Sequence, residues 1–130
     1  MNMNPVEKRL RNYSLLRTEI RFLELEVQAS HEMLETLNNF QIDLDDEVRA
    51  KVDERIENVK QQIEALQKEK VLIETVIEEL EDETVRKMFK LKYFSSLLWK
   101  EISGMVGYCE RQCRRIHKET IENIISKKLM

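Results

Sequence analysis

The stretch Leu98-Trp-Lys-Glu-Ile-Ser-Gly-Met-Val-Gly-Tyr-Cys-Glu-Arg-Gln-Cys-Arg-Arg-Ile-His-Lys118 decides how this chain is read. Two helices that cross steeply over a short turn need three things: a small residue where their backbones approach, a turn residue that tolerates an unusual φ, and apolar side chains that clamp both. Ser103 is the small residue, Gly107 follows four positions later, and Ile102, Val106, Tyr108, Cys113 and Ile116 are spaced to form the clamp. From Cys109 onward the helical period places Cys109, Cys113, Ile116, Thr120, Ile121 and Ile124 on one side, and Arg111, Arg114, Arg115 and Lys118 on the other. A solvated charged face is the ordinary meaning of such a pattern. Here the outward charges of the first two turns are nearly all of one sign, which favours contact with phosphates and base edges.

Charge divides the chain in the same sense. Beyond Glu83 there are 11 lysines and arginines against 4 glutamates, a net +7; the remainder holds 11 basic and 21 acidic residues, a net −10. The overall charge of −3 conceals this asymmetry. A region of +7 can exchange condensed counterions for phosphate contacts, whereas one of −10 is repelled by DNA and must serve another purpose. Two domains are therefore expected: an acidic one over residues 1–82, for oligomerisation or partner binding, and a basic one over residues 83–130.

The 130 residues include only two glycines and one proline, and alternating Val-, Ile- and Thr-rich runs are missing, so the fold class is read as all-α. No apolar stretch approaches the roughly 20 residues that cross a bilayer, and the first residues lack a signal-peptide core. A cytoplasmic protein without membrane contact is expected. Two cysteines four positions apart on one helix make a poor disulfide framework, which agrees with a reducing compartment.

The acidic region carries a heptad pattern. Val6, Tyr13, Ile20, Val27 and Leu34 form one row and Leu16, Leu23 and Leu37 its companion, with Arg9 and Ser30 as breaks, so one helix is expected over residues 6–38. The period is lost across residues 38–46, where Asp43, Asp45 or Asp46 can cap the next helix. Val52, Ile56, Val59, Ile63, Leu66, Ile73, Ile77 and Leu80 then form a second seam, interrupted only by Lys70. Two helices of similar length joined by a short loop most simply fold back as an antiparallel coiled-coil hairpin. Each apolar residue buried in its seam contributes roughly 1.5–3 kcal/mol. Leu10, Leu15, Phe22, Met33, Val71, Leu72 and Val76 lie off the strict seam and widen the apolar face beyond what one partner covers. That excess points to a homodimer or higher oligomer, with packing on the basic domain of the same chain as the alternative.

Residues 85–118, which hold the turn and its flanking helices, resemble region four of bacterial sigma factors, the part that reads the promoter −35 element. They are still more similar to small phage-encoded regulators of the ArpU and RinA type, in which a helical N-terminal part precedes such a domain. In that comparison Lys92 and Tyr93 match the arginine-tyrosine pair ending the first helix, Trp99 the aromatic residue opening the second, and Gly107 the turn glycine. Cys109 stands where a serine or threonine usually caps the recognition helix, and Gly104 lies inside the preceding helix; each departure costs about 1 kcal/mol. The resemblance implies a sequence-specific regulator of phage late genes that binds double-stranded DNA in the bacterial host cell, with RNA polymerase as a further partner. It places the helix from Glu110 in the major groove, with Arg111, Gln112, Arg114 and Arg115 reading base edges. Arg86, Lys92, Lys100 and Lys118 are then the phosphate contacts.

Other chemistry finds less support. Cys109, Cys113 and His117 are spaced four apart, but their end-to-end rise of about 12 Å is too long for one ion, so no metal and no cofactor are expected. His31 beside the seam reads as solvated. Neither a glycine-rich phosphate loop nor a nucleophile with positioned base can be assembled, which argues against an enzyme. The competing functions are a protein-interaction adaptor that docks on a polymerase with little DNA binding of its own, and a sigma-like subunit that recognises DNA only with core polymerase.

Overall fold

The computed structural model describes residues 4–130; residues 1–3 of the expected acidic domain lie outside the described residues. The helices are α1 (Pro5–Arg11), α2 (Tyr13–Asn39), α3 (Asp46–Glu78), α4 (Glu83–Phe89), α5 (Trp99–Val106) and α6 (Glu110–Ser126). A π-helical turn over Lys90–Phe94 continues α4. No strand occurs among the described residues, so the chain is all-α.

Packing divides the chain into two compact units, residues 4–15 with 70–130, and residues 16–69. These limits differ from the charge boundary at 82/83. Both outer ends of the long helical region belong with the C-terminal helices, because Val6, Leu10 and Tyr13 from one end and Ile73, Val76 and Ile77 from the other are buried there.

In the first unit, α1 begins at Asn4, whose Oδ1 accepts a hydrogen bond from the Val6 amide at 2.8 Å, with Pro5 in the first turn. One continuous helix was expected from residue 6. Instead the chain breaks at Asn12 (φ −78°, ψ −4°), and α1 packs on α6. Leu10 and Val76, off the expected seam, are covered here by the same chain. The start of α4 is fixed by Asp82, whose Oδ1 accepts from the Thr84 and Val85 amides at 2.8 and 3.0 Å. Met88, Ile102 and Cys113 then form a fully buried cluster, ringed by Leu97, Trp99, Val106, Tyr108 and Ile116. Every residue expected in the clamp is therefore buried or half-buried.

The second unit holds the middle of α2 and α3. Ile20, Leu23, Ile56 and Val59 are buried, and Val27, Leu34, Val52, Ile63 and Leu66 are half-buried. The Arg55 guanidinium meets Glu26 Oε1 at 2.8 Å, which joins the two helices. Of the three candidate aspartates, Asp45 caps α3 by accepting from the Glu47 amide at 2.8 Å.

Between α5 and α6 the chain turns at Gly107, which has φ +82° and donates its amide to the Ser103 carbonyl at 3.2 Å. Ser103 in turn donates its hydroxyl to the Tyr108 carbonyl at 2.5 Å, so the small residue ties the turn together as well as leaving room for it. A Cβ at Gly107 or at Gly104 would meet no atom within 4 Å. The two glycines must therefore respond oppositely to alanine. Gly107→Ala is expected to destabilise by about 1–2 kcal/mol through its left-handed backbone alone. Gly104→Ala is expected to stabilise by about 0.5–1 kcal/mol through helix propensity. Urea denaturation reads both, and equal signs would contradict this turn geometry.

Candidate nucleic-acid interface

One side of α6 is locked into the first unit. Cys113, His117, Ile121 and Ile124 recur at helical spacing and are all buried. The rotation of the helix follows from that burial, and it leaves Arg111, Arg114, Arg115 and Lys118 exposed, with Gln112 half-buried. These five residues and Cys109 border a shallow surface hollow. Two of the arginines hold carboxylates on their own helix, Arg114 to Glu110 at 3.7 Å and Arg115 to Glu119 at 3.1 Å. Both pairs are open to solvent, where such contacts contribute at most about 1 kcal/mol, so a phosphate or a guanine edge can replace the carboxylate at little cost. Cys109 occupies the cap position of α6 without a side-chain hydrogen bond, as expected for a poor acceptor.

The expected phosphate contacts fall in different settings. Lys100 is exposed on the first turn of α5. Lys92 is half-buried, with its ammonium 4.9 Å from the centre of the Trp99 ring and 3.5 Å from the Leu97 carbonyl oxygen. Arg86 is half-buried and donates to the Leu80 carbonyl at 2.8 Å, so its guanidinium is engaged in fastening the chain beyond α3.

His117, spaced four residues from Cys113, is part of an aromatic cluster. Its ring stacks on Phe89 with centroids 5.2 Å apart and meets the edge of Trp99 at 5.0 Å. The Tyr93 hydroxyl lies 2.5 Å from Nε2. Burial holds the His117 pKa down to about 4, helped by the positive charge of Lys92 and Arg11 and opposed by Glu7. The ring is therefore neutral, and its tautomer sets which of Nε2 and the hydroxyl donates. Burial, with Glu7, pushes Tyr93 the other way, so its proton stays in place. Cys109 is exposed while Cys113 is buried, and burial raises the Cys113 thiol further from its reactive form. Among the described residues, no group of three or more His, Cys, Asp and Glu side chains could hold a metal ion. No helix among them is long and apolar enough to cross a membrane.

A cation that the sequence pattern did not bring near α6 is Arg11. It ends α1, the short helix packed on α6, and borders a hollow of about 450 Å³ together with Lys92, Trp99 and Arg114. No spacing rule connects residue 11 to residue 114; only the break at Asn12 and the packing of α1 bring them together.

The family model described as "Protein of unknown function (DUF722)" matches residues 4–126, and the chain belongs to that family. No curated protein and no solved structure matches it.

The buried His117 makes stability depend on pH. A histidine whose pKa falls from 6.5 to about 4 on folding takes up its proton more readily in the unfolded chain. The unfolded state therefore binds more protons throughout that interval, and the contribution of this group to stability declines as pH falls from 6.5 towards 4. Nuclear magnetic resonance of the imidazole protons should show His117 still neutral at about pH 5.5. A midpoint at or above 6.5 would contradict its burial beside Tyr93.

Proposed function

We propose that this protein is a double-stranded-DNA-binding transcriptional regulator, in which α5 and α6 form a helix-turn-helix of the sigma region-four kind and α6 enters the major groove. The observation that supports this best is the one-sidedness of α6, a helix with one face buried and four cations exposed on the other. The left-handed Gly107 and the Ser103 contact give the pair a tight three-residue connection over residues 107–109. Arg111, Gln112 and Arg115 read base edges, since arginine pairs bidentately with guanine and glutamine with adenine. Lys118 and Lys100 hold phosphates. The resemblance to phage regulators makes late gene expression the process in which such a protein acts, without catalysis of its own.

In this reading α2 and α3 form an antiparallel coiled-coil hairpin through which copies associate. The short connection over residues 40–45 and the Arg55–Glu26 bridge support the hairpin. Phe22, Leu25 and Met33 are exposed on α2 and fall with Ala29 within an arc of about 80° at 3.6 residues per turn. The buried Ile20 and Leu23 lie on another side of the helix. A second apolar stripe of this kind suits a second copy, and a two-fold dimer would read paired half-sites.

Two measurements test these claims. Mobility-shift titrations of a selected duplex should weaken steeply with salt, because each phosphate contact adds about −0.9 to the slope of log affinity against log salt. Arg115→Ala should lose about tenfold on the preferred site and relax preference at one base position, whereas Lys118→Ala should weaken all sequences evenly. Equal, sequence-independent losses for both would overturn the base-reading role of Arg115. Duplex binding that is absent, or indifferent to salt, would favour the adaptor function instead. Sedimentation at micromolar protein should show a concentration-dependent oligomer that Phe22→Glu with Met33→Glu converts to monomer; a wild-type chain that stays monomeric would exclude self-association.

A further inference from the structure

We propose that Arg11, Lys92 and Arg114 form a binding site for one phosphate group, and that in the DNA complex this group is a backbone phosphate, which makes α1 part of the DNA-contacting surface. Only the choice of DNA as the carrier of that phosphate rests on the function proposed above.

The three cations come from three separate elements, α1, the π-helical turn and α6, and border one hollow. Each arginine is paired with a carboxylate on its own helix: Glu7 with Arg11 at 2.9 Å and Glu110 with Arg114 at 3.7 Å. Glu7 acts on Lys92 as well as on Arg11, yet it does not offset the mutual repulsion of the three cations. That repulsion is felt at Lys92, whose pKa is lowered first by burial and then by Arg11 and Arg114, with Glu7 opposing. A bound phosphate, singly charged in a DNA backbone, would relieve it. Both guanidiniums are more than half exposed, so each can turn towards an oxyanion, while Glu7, itself largely covered, keeps Lys92 as a neighbouring cation. Planar guanidiniums suit paired phosphate oxygens, while the lysine adds a point charge from the floor over Trp99. Ser96, at the edge of the hollow, adds a hydroxyl. Arg114 is thereby reassigned from base edge to backbone, and the expected role of Lys92 gains two partners.

Trp99 is the only tryptophan and borders the hollow, so its fluorescence reports occupancy. Inorganic phosphate, titrated into the full chain at constant ionic strength, should give a saturable change that Arg11→Ala and Arg114→Ala abolish. Glu7→Gln separates binding from packing, because it breaks the same ion pair while keeping the arginine. It should lower the half-saturating phosphate concentration; a loss equal to that of Arg11→Ala would mean that the pair merely anchors α1, and would overturn the site. On duplex DNA, Arg11→Ala should reduce the salt slope by about 0.9 without altering sequence preference. A saturable phosphate response with an unchanged slope would overturn the backbone assignment, and no phosphate response would overturn the site itself. Wild-type protein that binds phosphate but no duplex would instead remove the proposed DNA function and leave the anion site standing.

Discussion

The rotation of α6 depends on how its inner face is held. Cys113 sits in the fully buried cluster with Met88 and Ile102, and one turn further on His117 is enclosed by Phe89, Tyr93 and Trp99. Truncating a large apolar side chain in such a place costs about 2–5 kcal/mol. Even a small change in the roll of α6 would begin to bury guanidinium groups or expose these rings. The cationic face is therefore directed outward by apolar packing, and electrostatics acts on a geometry already set.

Neutral His117 is part of that arrangement. An imidazolium at this position is opposed first by desolvation and then by Lys92 and Arg11, with Glu7 offsetting part of this. As a neutral ring it stacks, hydrogen-bonds with Tyr93 and joins α6 to the π-helical turn that carries Lys92. The widened turn at Lys90–Phe94 is a local departure from regular helix of the sort that often accompanies functional positions. Here it brings Tyr93 inward while Lys92 lies against Trp99.

Much of this was legible in the residues. The small Ser103, the turn glycine Gly107 and the clamp positions are placed by steric requirements that leave few substitutes, and all occupy their expected places. The heptad rows marked buried positions well, since none of Val6, Tyr13, Ile20, Ile56, Val59, Ile73 or Ile77 is exposed. What an apolar period does not say is which surface covers it. Val6 and Tyr13 continue the same row as Ile20, yet they belong to the unit built around α6, because Asn12 interrupts the helix. The same ambiguity hid Arg11 in an expected coil and left His117 without an assigned role once its distance from Cys109 had ruled out a shared ion. A spacing of four describes a shared helix face equally well for a metal site and for a packed core; burial separates the two.

DNA contact through α6 is tested most directly by mapping amide and arginine side-chain resonances of the full chain as a duplex selected from a random pool is added. Perturbations should concentrate on residues 110–118, with further changes at Arg11, Lys92 and Lys100. Changes confined to residues 16–69, with the guanidinium resonances of Arg111, Arg114 and Arg115 unmoved, would contradict it.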